Sequence, residues 1–307
     1  MAVRERSSIH GADTQFLDPS VLSRIGNLEL LARTVVDGFL QGIHRSPHLG
    51  MSLDFAEHRE YMRGDDIRRI DWRLFARTDR FYVKLFEAET AADFMVALDI
   101  SKSMSFGTHS VTKLDYARYL AAALSFFSQK QKDRVGLATF DHEIVEYIPP
   151  STRHLQRILH TLVNAEPGRP GVLRDPLMSL GDNLHHRGIT LIISDFYEEP
   201  EQVIDAIRHL RARGHDVIVF HVLDPAELEF PFESAASFRD MESAEMIPIV
   251  PDKLVAEYRA RISEHTEELA QLFTGSRIDY TVVDTSKPLD YALFQYLSSR
   301  EKMARMR

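Results

Sequence analysis

The sequence predicts an α/β fold: a doubly wound, mostly parallel sheet flanked by helices. From residue 94 onward, short apolar segments alternate with longer amphipathic segments, which is the pattern of strands connected by helices. Two of the short segments, TLIIS (190–194) and VIVFHVL (217–223), are almost continuously apolar. Such runs are typical of parallel strands that are buried on both faces.

The elements of this sheet follow one another with short connections. The strand FMVALDI (94–100) leads to a helix at 113–131, whose apolar residues recur at helical spacing at Leu114, Ala117, Leu120, Leu124 and Phe127. Further strands are predicted at 134–140, 143–149, 188–196, 215–224 and 277–285. Helices are predicted at 152–163, 175–187, 200–213, 251–272 and 288–299, and a hairpin-like insertion at 228–250.

The N-terminal part of the chain is organised differently. Residues 1–19 are polar and predicted to be flexible, and apolar residues at helical spacing predict a helix from Pro19 to about His44. We expect residues 20–92 to form a helical and β-hairpin extension, and residues 93–303 to form the sheet domain. The segments 81–89 and 93–99 read as two closely joined strands, either a hairpin or a strand leading into the sheet.

The composition excludes several classes of protein. At 307 residues with 44% hydrophobic and 27% charged side chains, the chain can bury a substantial core. Its net charge of -9 argues against nucleic acid or an anionic membrane as the main partner. The absence of cysteine excludes disulfides, thiolate zinc sites and a Cys nucleophile. Neither a secretory signal nor a membrane-spanning run is found, so we expect a cytoplasmic location.

Carboxylates end four of the predicted strands, at Asp99, Asp195, Asp224 and Asp284. An Asp in this position often only caps the next helix, and that interpretation stays open for Asp195, Asp224 and Asp284 taken singly. If the strand of Asp99 lies between the 134–149 strands and the 188–196 strand, the winding direction reverses beside it. Ligands bind at such reversals, so Asp99 and Asp195 would be neighbours there.

The loop after Asp99 carries Ser101 and Ser103 on alternate positions. One carboxylate and two hydroxyls suit a hard cation such as Mg²⁺ or Mn²⁺, which prefers oxygen ligands. These groups leave the ion under-neutralised, so a carboxylate from another molecule could complete its coordination. We therefore predict a metal site formed by Asp99, Ser101, Ser103 and Asp195.

An arginine-rich segment at 59–80 is interleaved with acidic residues. Its simplest interpretation is a short salt-bridged helix with Ile67, Ile70 and Leu74 on its apolar face. A surface for an acidic partner or phosphate is a second interpretation, and nucleic-acid contact a third, weakened by the acidic residues. Trp72 is predicted to be a packing anchor. The candidate partner-binding residues are Arg59, Asp65, Asp66, Arg68, Asp71, Trp72 and Arg77.

Two motifs resemble known families. The Asp-x-Ser-x-Ser element at 99–103, with a second acidic residue in IISDF, resembles the metal-ion-dependent adhesion site of von Willebrand factor type A domains. Upstream, F-x-x-x-R-x-Y (55–61) and G-D-D-x-R-x-I-D-W-x-x-x-A-R (64–77) resemble the signature of a bacterial family, domain of unknown function number fifty-eight.

These resemblances imply a von Willebrand factor A-like fold and a partner rather than a reaction. Members of the bacterial family are similar to proteins associated with MoxR-type AAA+ ATPases and are thought to act as adaptors or assembly factors. The adhesion site of the fold uses a Thr from a later loop, where this sequence has Val172. Val cannot bind a metal, so Asp175 or water could take its place, or the site binds metal weakly or not at all.

Signals for an enzyme are weak. The S-x-x-K motif at Ser110–Lys113 lacks its K-T-G and S-D-N companions, and the sequence has no Walker A, G-x-S-x-G or H-E-x-x-H motif. We expect a non-enzymatic adaptor that binds a MoxR-type ATPase or client proteins presenting a carboxylate. The alternative is a metal-dependent hydrolase that uses Asp99 and Asp195 to activate water.

Overall fold

A computed structural model describes residues 18–45, 57–62, 70, 72–85, 92–231, 236–239, 246–249 and 251–305. The chain divides into two compact units, one formed by residues 40–91 and a larger one by the residues on either side. The strands are β1 (Glu57–Glu60), β2 (Tyr82–Leu85), β3 (Asp93–Asp99), β4 (Arg134–Phe140), β5 (Ile144–Ser151), β6 (Gly188–Ser194), β7 (Asp216–Leu223), β8 (Ala236–Arg239), β9 (Met246–Ile249) and β10 (Asp279–Asp284).

The helices lie between the strands as the sequence predicts for a doubly wound sheet. They are α1 (Pro19–Leu22), α2 (Leu28–Arg45), α3 (Trp72–Thr78), α4 (Lys113–Lys130), α5 (Leu155–Asn164), α6 (Arg174–Asn183), α7 (Pro200–Ala212), α8 (Pro225–Glu229), α9 (Pro251–Gly275) and α10 (Leu289–Arg305).

The sheet of the larger unit has six strands in the order β10-β7-β6-β3-β4-β5. All neighbours are parallel except β5, which runs antiparallel to β4 at one edge. The first strand of the sheet, β3, lies between β4 and β6. The chain adds β4 and β5 on one side of β3 and then β6, β7 and β10 on the other, so the winding direction reverses at β3. The predicted mostly parallel, doubly wound sheet and the predicted place of its reversal are confirmed.

Side chains of β3 alternate between two helical layers. Met95 and Ala97 belong to a core shared with α6, α7 and α9. Phe94 points to the other side, where its ring contacts that of Tyr296 in α10 at 5.6 Å. Every residue of the strand is buried, because helices cover both faces of the sheet. The carboxyl end of β3 is the place where the chain leaves this apolar interior.

The helix after β3 has the predicted inner face. The five apolar residues that the sequence places on one stripe of α4 are all buried, at Leu114, Ala117, Leu120, Leu124 and Phe127. The helix begins with a capping box, in which the Thr112 hydroxyl accepts the Asp115 amide and the Asp115 carboxylate accepts the Thr112 amide. The cap at Thr112 therefore determines that α4 starts at Lys113.

Three expectations for the N-terminal part were wrong in detail. The helix predicted from Pro19 to His44 is two helices, separated at residues 23–27. The strand predicted at 81–89 does not form a hairpin with 93–99: β2 pairs antiparallel with β1, from Glu57↔Leu85 to Glu60↔Tyr82. The helix of the arginine-rich segment begins only at Trp72, and Ile70 forms an isolated β-bridge.

Trp72, which the sequence predicts to be a packing anchor, packs on two aromatic rings and remains largely exposed. Its side chain is 57% exposed, and its ring packs edge-on against Phe75 and Phe81 within the smaller unit. Phe75 and Phe81 stack on each other at 4.4 Å. These aromatic contacts join α3 to Phe81, the residue before β2. A cluster of three aromatic side chains therefore packs this part of the chain together.

The remaining predictions of elements are confirmed with small shifts of boundary. The insertion at 228–250 contains the expected hairpin, since β8 pairs antiparallel with β9. Among the helices that the structure describes, none has both the length and the apolar character required to cross a membrane. Of residues 1–19, which the sequence predicts to be flexible, 1–17 lie outside the described part of the chain, whereas Asp18 caps α1 and Pro19 begins it.

Leu191 offers a test of the buried sheet. It is fully buried in β6, between Val96 of β3 and Ile218 of β7. We expect Leu191→Ala to lower the free energy of unfolding by about 2–5 kcal/mol, because it removes buried methyl groups and leaves a cavity. Urea denaturation measures this change. The control Val163→Ala, at a 56% exposed position of α5, should change it by less than about 0.5 kcal/mol. Equal effects of the two substitutions would contradict the described sheet.

Candidate metal-binding site

Asp99 and the two serines that follow it lie together at the carboxyl end of β3. Asp99 is the last residue of the strand, and a 3₁₀ turn at Lys102–Ser105 folds the chain back at once. The turn brings the Oγ atoms of Ser101 and Ser103 to 3.1 Å from each other. All three side chains are buried, so they are held in place by the surrounding protein rather than by solvent.

The four residues predicted from the sequence to bind metal line one small cavity. Asp99, Ser101, Ser103 and Asp195 share a space of about 80 Å³ with residues from the ends of β4 and β6 and from the loop before α6. Asp195 follows β6 directly, and β6 is the parallel neighbour of β3. The two carboxylates are therefore neighbours because the sheet reverses its winding between β3 and β6.

The surroundings of the Asp99 carboxylate make its negatively charged form energetically unfavourable. Its Oδ1 accepts the Ser101 amide at 2.7 Å, and its Oδ2 accepts the Ser194 hydroxyl. Burial, together with repulsion from Asp195, raises the pKa of Asp99 to about 7. These two hydrogen bonds favour the charged form but do not offset the burial. A cation beside Asp99 would relieve this repulsion.

The donors suit a hard divalent cation. A carboxylate oxygen and two hydroxyls are ligands of Mg²⁺ and Mn²⁺, which also retain water or accept ligands from a second molecule. Within the described residues, no three His, Asp or Glu side chains form a group that could hold a metal by themselves. The set present therefore fits a cation whose coordination is completed from outside the chain, and it does not fit a closed structural metal site.

The loop expected to supply a further ligand lies over Ser101. The amide of Lys102 donates to the carbonyl of Arg169, and the amide of Gly168 donates to the carbonyl of Ile100. The approach is so close that a Cβ on Gly171 would lie 2.7 Å from the Cβ of Ser101. Glycine at position 171 therefore permits the loop to reach the cavity, as a larger residue would push it away.

Val172 in this loop lines the cavity and is 44% exposed, so its apolar side chain borders the place where the fold's Thr ligand is expected. The alternative Asp175 is exposed in the first turn of α6 and does not line the cavity.

Glu198 lines the cavity, although the sequence did not point to it. Its Oε1 accepts the Leu173 amide at 2.5 Å, so a carboxylate from the loop after β6 holds the loop that carries Val172.

Asp195 has an unexpected partner, the side chain of Lys113. The Lys113 Nζ lies 2.8 Å from Asp195 Oδ2 and 2.7 Å from Glu227 Oε1, and the lysine is completely buried. Asp195 is therefore an ion-pair partner and not a helix cap. Lys113 is the lysine of the S-x-x-K motif, and its burial, with Ser110 exposed, agrees with rejecting that motif as a nucleophilic site.

The two other strand-end aspartates have the structural roles left open by the sequence. Asp224 caps α8, accepts the Ala226 amide, and also accepts the amide and the hydroxyl of Thr108. Asp284 accepts the amide and hydroxyl of Ser286 in a turn. No histidine is among the described residues that line the cavity.

The candidate partner-binding residues of the smaller unit are only partly described. Arg59 lies in β1, and Arg77 is exposed in the last turn of α3, as Trp72 is in its first. Asp65, Asp66, Arg68 and Asp71 lie outside the described residues. Their role as a partner-binding surface stays a prediction.

Comparisons with known proteins agree with this architecture. The model of the family "protein of unknown function DUF58" matches residues 57–268. The uncharacterized proteins Rv1480 of Mycobacterium tuberculosis (strain H37Rv) and Mb1516 of Mycobacterium bovis are each 29% identical over 294 residues, covering 94% of this chain and 92% of the relative.

Among solved structures, the conserved hypothetical protein BatB from Bacteroides thetaiotaomicron is similar, with a TM-score of 0.50 and 19% identity over 70% of this chain and 99% of that one. The VWA domain of SpRpn10 has a TM-score of 0.41 and 13% identity, over 67% of this chain and 94% of that one. At these identities the likeness concerns the fold alone. The chain belongs to the DUF58 family, and its mostly parallel sheet is that of a von Willebrand factor A-like fold.

Proposed function

We propose that this protein is a non-enzymatic adaptor that binds a partner through a divalent cation held by Asp99, Ser101 and Ser103. The observation that carries the proposal is the convergence of these three side chains on one small cavity at the carboxyl end of the central strand. The cation would be Mg²⁺ or Mn²⁺, since all the donors are oxygens. Its remaining positive charge would attract an Asp or Glu side chain of the partner.

The size of the cavity favours a binding module over an enzyme for small molecules. Pockets that hold small-molecule substrates usually measure about 300–1,000 Å³. The space of about 80 Å³ is small beside such pockets and suits an ion and the tip of one side chain. The cavity lining also has no histidine among the described residues, which removes the most common general base from the hydrolase alternative.

The partner is proposed from the family resemblance. The arginine- and aspartate-rich signature at 55–77 resembles that of proteins associated with MoxR-type AAA+ ATPases, so we propose such an ATPase, or a client protein of the pair, as the binding partner. A partner that presents a carboxylate is consistent with an adaptor whose net charge is -9, because a bound cation bridges two negative groups. The role would be in protein assembly or maturation.

Metal binding tests the first half of the proposal. We expect Mn²⁺ at about 100 times its dissociation constant to stabilise the folded protein by about 2.7 kcal/mol. Asp99→Asn should reduce this effect because it removes the negative charge that attracts the cation, and Ser101→Ala and Ser103→Ala should each reduce it because each removes a hydroxyl ligand. Thermal denaturation with and without Mn²⁺ measures it. Ser105→Ala is the matched control, since the Ser105 hydroxyl donates to the Lys102 carbonyl and does not line the cavity. Stabilisation that survives Asp99→Asn would place the metal elsewhere.

Partner binding tests the second half. We expect affinity purification of the tagged protein in Mg²⁺ to recover a hexameric AAA+ ATPase or a client protein. EDTA or Asp99→Asn should reduce the recovered partner by about tenfold or more, because both remove the bridging cation. Quantitative mass spectrometry of the bound fraction measures this, with Ser105→Ala as the control. A partner retained equally under all these conditions would rule out the metal as the bridge.

A further inference from the structure

Lys113 is a buried cation placed directly behind the proposed metal site. Its side chain has no solvent exposure, and its Nζ contacts one carboxylate oxygen each of Asp195 and Glu227. Burial by itself disfavours the ammonium form, but the attraction of the two carboxylates outweighs it and raises the pKa of Lys113 above its ordinary value. Lys113 is therefore the buried cationic partner of two carboxylates at this position.

The surroundings of Lys113 keep its ammonium group in place. The ring of Tyr197 lies 4.6 Å from Nζ and that of Phe106 5.8 Å, so aromatic faces cover the sides that the carboxylates leave open. Glu227 is in turn held by the Asp224 amide at 2.8 Å. Tyr197 is 47% exposed, and burial of its hydroxyl beside the negative charges of Glu227 and Asp195 raises its pKa. The ammonium of Lys113 is thus held by two carboxylates and lies against two aromatic rings.

Asp195 is the residue that the cluster shares with the cavity. It lines the cavity beside Asp99, while its Oδ2 is bound to Lys113, which does not line the cavity. A metal ion that took Asp195 as a direct ligand would have to compete with an ammonium 2.8 Å away. In a buried environment, two cations on one carboxylate repel each other strongly.

We propose that the ammonium of Lys113, by holding Asp195 in an ion pair, keeps that carboxylate from binding the metal ion directly. Lys113 thereby sets the affinity of the site for the metal and the net charge of the bound site. This inference rests on the proposed metal site. The divalent cation is then held by Asp99, Ser101 and Ser103, and Asp195 acts on it only from outside its coordination shell. The bound ion keeps excess positive charge, which increases its attraction for a carboxylate of the partner at the expense of its affinity for the adaptor alone.

The double variant Lys113→Met with Glu227→Gln tests this inference. It removes one positive and one negative side chain, so the formal charge of the cluster is unchanged while Asp195 loses its ion-pair partner. We expect the dissociation constant for Mn²⁺ to fall by about tenfold or more, because Asp195 becomes available to the ion. Isothermal titration calorimetry measures the constant, and circular dichroism verifies the fold. A lysine that only stabilised the fold would lower the thermal midpoint without tightening Mn²⁺ binding.

Two further variants complete the experiment. Lys130→Met removes an exposed lysine of the same helix, paired with Asp37 at 2.8 Å, and should leave the Mn²⁺ affinity unchanged. Glu227→Gln alone leaves Lys113 bound to Asp195 only, and should weaken Mn²⁺ binding. If the double variant does not fold, this single variant decides: affinity equal to or tighter than wild type overturns the inference.

The outcomes separate this inference from the proposed function. Mn²⁺ affinity of the double variant that equals or falls below that of the wild type overturns the role of Lys113, as does the absence of Mn²⁺ binding in both proteins. Binding that appears only in the double variant supports the role of Lys113 and contradicts the metal site of the wild-type adaptor. The proposed function is judged separately, by the effect of EDTA and Asp99→Asn on the wild-type partner.

Discussion

The placement of β3 between β4 and β6 is the constraint on which the candidate site depends. A strand covered by helices on both faces must be apolar along its length, so its polar residues, Asp93 and Asp99, are confined to its two ends. Parallel neighbours end at the same edge of the sheet, which brings Asp195 of the next strand beside Asp99. The site is therefore a consequence of the winding of the chain, and Asp99 and Asp195 come from the ends of two different strands.

Bringing two carboxylates together in a buried place is unfavourable, and the structure balances them in different ways. Asp99 has neutral hydrogen-bond donors, and burial beside Asp195 holds its pKa near 7. Asp195 instead has a buried ammonium, which Glu227 shares. The two carboxylates therefore differ. Asp99 is bound by neutral donors and could accept a cation, whereas Asp195 is already paired with the ammonium of Lys113. This asymmetry gives the cavity a side that can accept an ion and a side that cannot do so without breaking an ion pair.

The loops around the cavity position its remaining wall through backbone contacts. The chain at 168–172 bonds to the backbone on both sides of Ser101, and Gly171 allows the approach. Glu198 then secures the same loop from the end of β6. With an apolar Val172 at this wall, the ligands that the chain itself supplies come mainly from one loop, so a partner has room to contribute to the coordination. Such an arrangement is consistent with the proposed cation-dependent association.

The sequence by itself determined the order of the elements, the doubly wound sheet and the loop proposed to bind a cation, because periodicity and the Asp-x-Ser-x-Ser spacing are local properties of the chain. Contacts between distant residues were decided by the tertiary structure. No spacing indicates that Lys113 pairs with residues 82 and 114 positions away, or that Glu198 bonds to Leu173. The pairing of β2 with β1 rather than with β3, and the exposure of Trp72, likewise depend on which surfaces meet when the chain folds. Local patterns specify which groups are present, whereas packing decides which of them become neighbours and how much water is removed from between them.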